Sequence, residues 1–341
     1  MPDQTRPPRI YDVAKLAGVS VATVSRTLSN PTIVSEATRK AVEDAIAETG
    51  YTLNFTARNL RQQQVGGVLA LVPKLANPFF SEILSGISDV LRKNGLSLLV
   101  LDTTAVPDQP ALKVLGPHLN RSRSDGVIVL DGNLDPQLFA QPGCPPLVQA
   151  CEWIVGLEAP RVLADNEEGG RLSAQHLTGL GHRDILHMTG PAGNSLTVSR
   201  RRGFLAGLAA AGLPAPGPDA SIEGDFTARF GADAAARILT LPRRPTAVFC
   251  DNDEMAIGLI NGLIGAGLRV PDDISVMGFD NIEMSAFCLP PLTTIRQYRA
   301  RLGRKAAELL LSRMRGEEIT DSTTLSVDLL VRSSTGPVPA V

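Results

Sequence analysis

Side chains able to do chemistry recur in this chain at one kind of position, just past apolar runs of strand length. Asn77-Pro-Phe-Phe80 follows Val68–Val72, and Asp131-Gly-Asn133 follows Val127–Leu130. Gly190-Pro191 and then Arg200-Arg-Arg-Gly-Phe204 follow Ile185–Met188, while Gly224-Asp-Phe226 follows a short apolar segment. Asp251-Asn-Asp253 follows Cys250, and Gly278-Phe-Asp-Asn281 follows Ile274–Met277. Carboxylates and guanidinium forks satisfy hydroxyls, and an aromatic ring packs on an apolar face. Such a set, brought together, suits a small polyhydroxylated or heterocyclic molecule. Plainer readings stand beside this one. Gly278–Asn281 reads equally as a turn closing a strand, Phe79 and Phe80 equally as core, Trp153 as a packed ring, and Arg201 and Arg202 as solvated charges at a helix start.

A second group, Val21, Ala22, Thr23, Ser25 and Arg26, makes a short mixed face suited to a DNA major groove. Thymine methyls accept small apolar side chains, and an arginine bridges two acceptors on guanine. Catalysis finds no comparable framework. There is no phosphate-cradling Gly-x-x-x-x-Gly-Lys-Ser/Thr loop or dinucleotide fingerprint, and no Gly-x-Ser-x-Gly elbow. His176, His182 and His187 are spaced six and five apart, which does not stack them on one helical face as zinc ligands. Asp251-Asn-Asp253 lacks the glycine and distal glutamate of a calcium loop. A binding protein is expected, with neither enzyme activity nor cofactor nor metal.

The groove-facing group needs a helix to present it. Val13, Ala14, Leu16 and Ala17 fall on one face of a short helix opened by Asp12, and Gly18 supplies the freedom a tight turn requires. Ser20 caps a second helix that buries Val24 and Leu28. Two helices joined by a glycine-containing turn form a helix-turn-helix. A third helix from Ser35 offers Ala37, Val42, Ala45 and Ile46 to the core and stops at Gly50. From Gly67 onward, unbroken apolar strands alternate with helix-length stretches: Val68–Val72, Leu96–Leu101, Gly126–Leu130, Pro146–Val148, Ile185–Met188, Thr246–Cys250 and Ile274–Gly278. That pattern means parallel sheets covered on both faces, and its length asks for two α/β lobes. Ligands of such folds sit beyond the carboxyl ends of the strands, where the reactive residues lie.

Composition agrees with a soluble protein of more than one domain: 341 residues, 43% apolar and 20% charged. The stretch Met255–Leu268 is shorter than the roughly 18 apolar residues of a membrane span. The first residues have no apolar core for a signal peptide. Cys144, Cys151, Cys250 and Cys288 are too scattered for a disulfide framework or zinc site. A cytoplasmic protein is expected. Residues 1–66 hold eight Lys/Arg against six Asp/Glu and the remainder 25 against 29, a mildly basic head on an acidic body.

Residues 10–61 resemble the head of LacI/GalR-family transcriptional repressors almost position by position. The resemblance rests on Asp12-Val-Ala14, Ala17-Gly-Val-Ser20, Thr23-Val-Ser-Arg26, Val34-Ser35, Thr38-Arg39, Gly50-Tyr51, Asn54 and Ala57-Arg-Asn-Leu60. It implies that Val21, Ala22 and Arg26 read a half-site and that Ser20, Thr23, Ser25 and Asn54 touch phosphate or sugar. It also implies that the segment from Asn54 through Ala57 to Leu60 is a hinge helix whose leucine wedges into the minor groove. One departure is Leu53, where the family has proline in its Tyr-x-Pro-Asn turn. The body is similar to the same family's core, of the periplasmic-binding-protein type, through Asn77–Phe80, Arg200-x-x-Gly203-Phe204, Gly224–Phe226, Asn252-Asp253-x-Met255-Ala256, Gly278–Asp280 and Pro291–Ile295. Family effector contacts map onto Phe79, Arg200, Phe226 and Asp253, with Asp131, Asn194 and Glu152 transferring more weakly. Cys151-Glu-Trp153, Thr246–Cys250 and Phe287–Thr294 look most like a cytidine-responsive branch.

The expected organisation is a helix-turn-helix domain at 1–50, a hinge and linker at 51–66, and a core at 67–341. Its N-lobe covers about 67–164 and 296–323, and its C-lobe about 165–295 and 324–335. The expected function is that of a transcriptional regulator binding a near-palindromic operator as a homodimer, with a sugar or nucleoside effector between the lobes. The final residues carry no leucine heptad, so a tetramer-forming tail is not expected. A transporter's sugar-binding protein is the rival reading, but it calls for export and no DNA-binding head.

Overall fold

In the computed structural model, the chain divides into two compact units, Met1–Gln63 and Gln64–Val341. The structure describes residue 6 and residues 8–52, 64–104, 111–214, 217, 220–319 and 322–338.

The first unit contains α1 (Ile10–Leu16), α2 (Val21–Ser29) and α3 (Glu36–Thr49). They close on Val13, Ala14, Val24, Val42 and Ala45. Gly18 takes a left-handed φ of 66° in the turn between α1 and α2, and Gly50 does the same at 65° after α3. The helix α1 starts two residues before Asp12, whose carboxylate instead accepts the Arg9 N–H at 2.8 Å. Leu16, the last residue of α1, is exposed, and Ala37 is exposed in the first turn of α3. Both had been expected in the core.

In the second unit every apolar run anticipated above becomes a strand or part of one, and all but that of Leu96–Leu101 are largely buried; this one forms an edge strand that leaves Leu99 and Val100 exposed. A first sheet is built from β1 (Gly67–Val72), β2 (Ser97–Asp102), β3 (Gly126–Val129), β4 (Leu147–Ala150), β5 (Arg161–Ala164) and β11 (Thr323–Leu325), in the order β11-β5-β4-β3-β1-β2. A second contains β6 (Ile185–Thr189), β7 (Ser221–Glu223), β8 (Ala247–Cys250), β9 (Ser275–Asp280), β10 (Thr293–Arg296) and β12 (Asp328–Leu330), in the order β12-β10-β9-β8-β6-β7. All pairings are parallel except that of β10 with β12. Thr324 and Leu325 pair with β5, so the last return to the second sheet falls just before β12 rather than at residue 324. The short strands β5, β7, β10, β11 and β12 lacked the long apolar runs by which the others were recognised.

Helices α4 (Phe79–Lys93) and α10 (Arg299–Met314) pack on the first sheet, with α5 (Ala111–Leu115) on its other side. The second lobe carries α6 (Asn166–Gly179), α7 (Ser195–Ala210), α8 (Ala228–Leu239) and α9 (Asp253–Gly265). Gly203 matters here: a Cβ at this position would stand 1.8 Å from the Glu167 carbonyl oxygen, so α6 and α7 touch backbone to backbone. That contact drives Phe204 into the core and sets Arg200, one turn earlier, at the ends of the strands.

Candidate functional site

In the head, Ser20 caps α2 by accepting the Thr23 N–H at 3.1 Å, and its hydroxyl lies 2.9 Å from that of Thr23. Val24 and Thr27 point inward. Val21, Ala22 and Arg26 are therefore exposed on one side, flanked by half-buried Thr23 and Ser25. A helix whose first two turns present small apolar, hydroxyl and guanidinium groups together has the shape and chemistry to enter a major groove. The hinge residues Asn54, Ala57 and Leu60 lie outside the described residues.

In the second unit, a cleft of about 230 Å³ opens between the carboxyl ends of the two sheets. Phe79 and Phe80 at the start of α4 and Glu152 just past β4 line it from the first lobe. Asn194, Leu196 and Arg200 from the start of α7, Phe226, Asn252 and Asp280 line it from the second. Phe226 holds a positive φ of 64°, and its ring fills the space where a Cβ on Gly190 would sit, 2.1 Å away. Gly190 is thus a glycine because the aromatic wall of the cleft occupies its side-chain volume.

Arg200 is the best-anchored group in this site. It is 1% exposed, and its guanidinium lies 3.9 Å above the Phe279 ring. Nε donates to Asn166 Oδ1 at 2.9 Å, and Nη1 donates to the Asp251 carbonyl. Nη2 has no hydrogen-bond partner among the described residues and stands 3.6 Å from Asp280 Oδ1. A buried donor hydrogen-bonded on two sides, with its third side against a carboxylate too far for a hydrogen bond, is a ready contact for an acceptor entering the cleft. Asp280 is itself held at a φ of 120°, with Oδ1 accepting from Gln297 Nε2 at 2.7 Å. Burial pushes its carboxyl up, against the pull of Arg200.

Glu152 spans the cleft. Its Oε2 accepts the Gly132 N–H at 3.0 Å from its own lobe and the Asn194 amide at 3.1 Å from the other. Burial pushes its carboxyl up to about 7; the nearby Asp131 charge adds to this, and the Gly132 N–H, the Asn194 amide and Arg200 oppose it. The site therefore has a carboxyl able to accept or donate near neutral pH, beside a fixed cation and two phenyl rings.

Of the seven effector residues anticipated from the sequence, Phe79, Glu152, Asn194, Arg200 and Phe226 meet in this cleft. Asp131 does not line it. Its carboxylate accepts from the Thr103 hydroxyl at 2.6 Å and the Asn133 N–H at 2.9 Å, beside a separate pocket of about 450 Å³. Asp253 is fully buried behind the wall. Its carboxylate accepts from the Ile282 N–H at 2.9 Å and from the Ser285 and Thr294 hydroxyls, each at 2.5 Å. Those contacts hold the loop after β9 rather than a ligand, and burial raises the Asp253 carboxyl in spite of them. Its neighbour Asn252 takes the place facing the cleft, as the α9 N-cap, with its amide donating to the Phe226 carbonyl at 3.0 Å. Asp225, within the anticipated Gly224-Asp-Phe226, also lines the rim; Lys74, Thr227 and Glu254 there were not singled out, and as loop and helix-start residues they give no signal of their own. Trp153 is half-buried, and Arg201 and Arg202 are exposed. Among the described residues no cluster of His, Cys, Asp or Glu could hold a metal, and no helix is long and apolar enough to cross a membrane.

Comparison with known proteins matches residues 9–54 to a family described as bacterial regulatory proteins, lacI family, and residues 174–335 to a periplasmic binding protein-like domain. The HTH-type transcriptional repressor CytR of Escherichia coli (strain K12) is 38% identical over 331 residues, covering 96% of each chain. Among solved structures, the lac repressor dimer bound to operator and the anti-inducer ONPF superposes with a TM-score of 0.84 at 31% identity, over 97% of this chain and 100% of that one. A complex of the transcriptional regulator CelR with cellobiose gives a TM-score of 0.73 at 32% identity, over 96% and 99%.

Proposed function

The chain belongs to the lacI family of bacterial regulatory proteins, and from that premise we propose that it is a sequence-specific transcriptional repressor controlled by a small molecule bound between its two α/β lobes. Nη2 of buried Arg200, which makes no hydrogen bond among the described residues, carries the second half of this reading. A buried guanidinium edge paired with Asp280 at 3.6 Å but making no hydrogen bond among the described residues, on a residue that lines the cleft with Phe79 and Phe226, is what an effector with ring faces and hydroxyl or ring-nitrogen acceptors would complete.

Val21, Ala22 and Arg26 would read bases, with Ser20, Thr23 and Ser25 at the phosphates, and Asn54, Ala57 and Leu60 would act in the hinge. One helix-turn-helix covers few base pairs, so a homodimer on a near-palindromic operator is expected. The lac repressor in the structure compared above is a dimer bound to operator. In the cleft, Glu152, Asn194 and Arg200 would meet the polar atoms of a sugar or nucleoside and Phe79 and Phe226 its ring, with Asp280 and Asn252 added to the set. Asp131 and Asp253 would support the walls. An effector that prefers one lobe arrangement changes operator affinity by the ratio of its affinities for the two states.

A thermal-shift screen of the full-length protein against cytidine, adenosine, D-ribose and cellobiose tests the effector half. Binding to the folded state raises the melting temperature by mass action. A hit that disappears in Arg200→Lys supports the reading, and a hit of equal size in that variant refutes it.

A further inference from the structure

We infer that His187, which lies outside the cleft, is a positioning residue of the effector site: through Asp251 it fixes the direction of the Arg200 amino group that makes no hydrogen bond among the described residues. The inference rests on the cleft reading proposed above.

His187 sits on β6 with its ring stacked on Phe249 at a centroid distance of 4.9 Å and tilted against Phe204 at 4.8 Å. Those two rings set the plane of the imidazole, so its Nε2 edge is aimed at the fully buried Asp251, 2.7 Å from Oδ1. The carboxylate fixes the tautomer, with Nε2 as donor. The other oxygen, Oδ2, accepts the Gly190 N–H at 2.9 Å. Asp251 is thus clamped from both sides, and its own N–H donates to the Met188 carbonyl at 2.8 Å. Its carbonyl is the group that receives Arg200 Nη1.

The chain of contacts therefore runs from His187 to Asp251 and divides there. One branch, through the Asp251 carbonyl, holds the Nη1 side of Arg200; with Asn166 on Nε and Phe279 beneath the plane, it leaves Nη2, 3.6 Å from Asp280 Oδ1, as the edge without a hydrogen bond in a residue that lines the cleft. The other, through Gly190, holds the wall that carries Pro191 and backs the Phe226 ring. Remove the imidazole donor, and Asp251 Oδ1 has no other hydrogen-bond donor among the described residues. The carboxylate must then turn to find one, and both branches move with it. A histidine that merely filled the core would have no such consequence.

Two variants separate these cases in the full-length protein. His187→Phe keeps the stacked ring and removes the donor; His187→Gln gives up the ring and returns an N–H at the position of Nε2. Arginine side-chain ¹⁵N spectra report the Arg200 guanidinium without any ligand, and calorimetric titration with cytidine reports the cleft. His187→Phe is expected to shift or broaden the Arg200 signals and to weaken cytidine binding by about tenfold or more, the scale of one lost buried hydrogen bond to a charged group. His187→Gln is expected to restore both. The inference is overturned if His187→Phe lowers the melting temperature alone, with the Arg200 signals unchanged. Failure of His187→Gln to restore those signals overturns it as well. If the wild-type protein does not bind cytidine, the choice of effector is wrong, and the Arg200 spectra still decide the role of His187.

Discussion

Replacing Glu152 by glutamine gives a pH-dependent outcome whose sign follows from the cleft geometry. Glutamine keeps the shape, and its carbonyl oxygen can still accept from the Gly132 N–H and the Asn194 amide, which lie 3.0 and 3.1 Å from Oε2. What it removes is the ionisation. The folded protein holds the Glu152 proton up to about pH 7, against an ordinary value of 4.5, because burial outweighs the donors around it. Between those two values the folded state binds more protons than the unfolded chain, so this residue's contribution to stability falls as pH rises and is fully lost above about 7. At 1.36 kcal/mol for each pH unit, the loss is about 3 kcal/mol. Melting temperatures of the wild type and Glu152→Gln, measured from pH 5 to pH 8, should therefore diverge with the variant gaining as pH rises. The expected gap at pH 8 is several degrees wider than at pH 5. Parallel curves, or a wild type that gains on the variant as pH rises, would refute the claim that this carboxyl is buried at the expense of its charge.

Other consequences are simpler to read. Arg26→Ala should cost about 1–3 kcal/mol of discrimination between the preferred base pair and its alternatives, measured by anisotropy on paired duplexes, while the salt dependence of binding stays nearly unchanged. Asp253→Ala strips the acceptor from Ile282 N–H, Ser285 and Thr294 and should destabilise the core by about 3 kcal/mol in urea unfolding, with Asp253→Asn losing clearly less. Equal losses would mean that the carboxylate is not what holds that loop. Gly203→Ala forces α6 and α7 apart and should cost about 3 kcal/mol or more; a wild-type melting curve would contradict the backbone contact with Glu167.

The sequence exposed the architecture wherever one physical signal dominated. Continuous apolar runs announced β1, β3, β6, β8 and β9 because strands covered on both faces tolerate no polar alternation. Short edge strands such as β7 and β12 are only partly buried and left no such trace. In the site, the positions of the motifs were legible, but the side chain within each motif that faces the cleft was less so. In the Asp251-Asn252-Asp253 triplet the cleft is faced by Asn252, because the cap residue stands at the strand end while Asp253 begins the helix and turns inward. Asp280 was left open between turn and ligand; only its φ of 120° and its place beside Arg200 reveal it as part of the site. His187 gave no sign at all, since its role depends on Asp251, 64 positions away in the chain.

Recognition of a particular DNA sequence by this protein is tested by selection from a random duplex library with the full-length chain. The expected result is a two-fold-symmetric site bound at least about a thousandfold more tightly than a scrambled duplex of the same length at the same salt concentration. Equal affinity for the recovered and scrambled duplexes would contradict it.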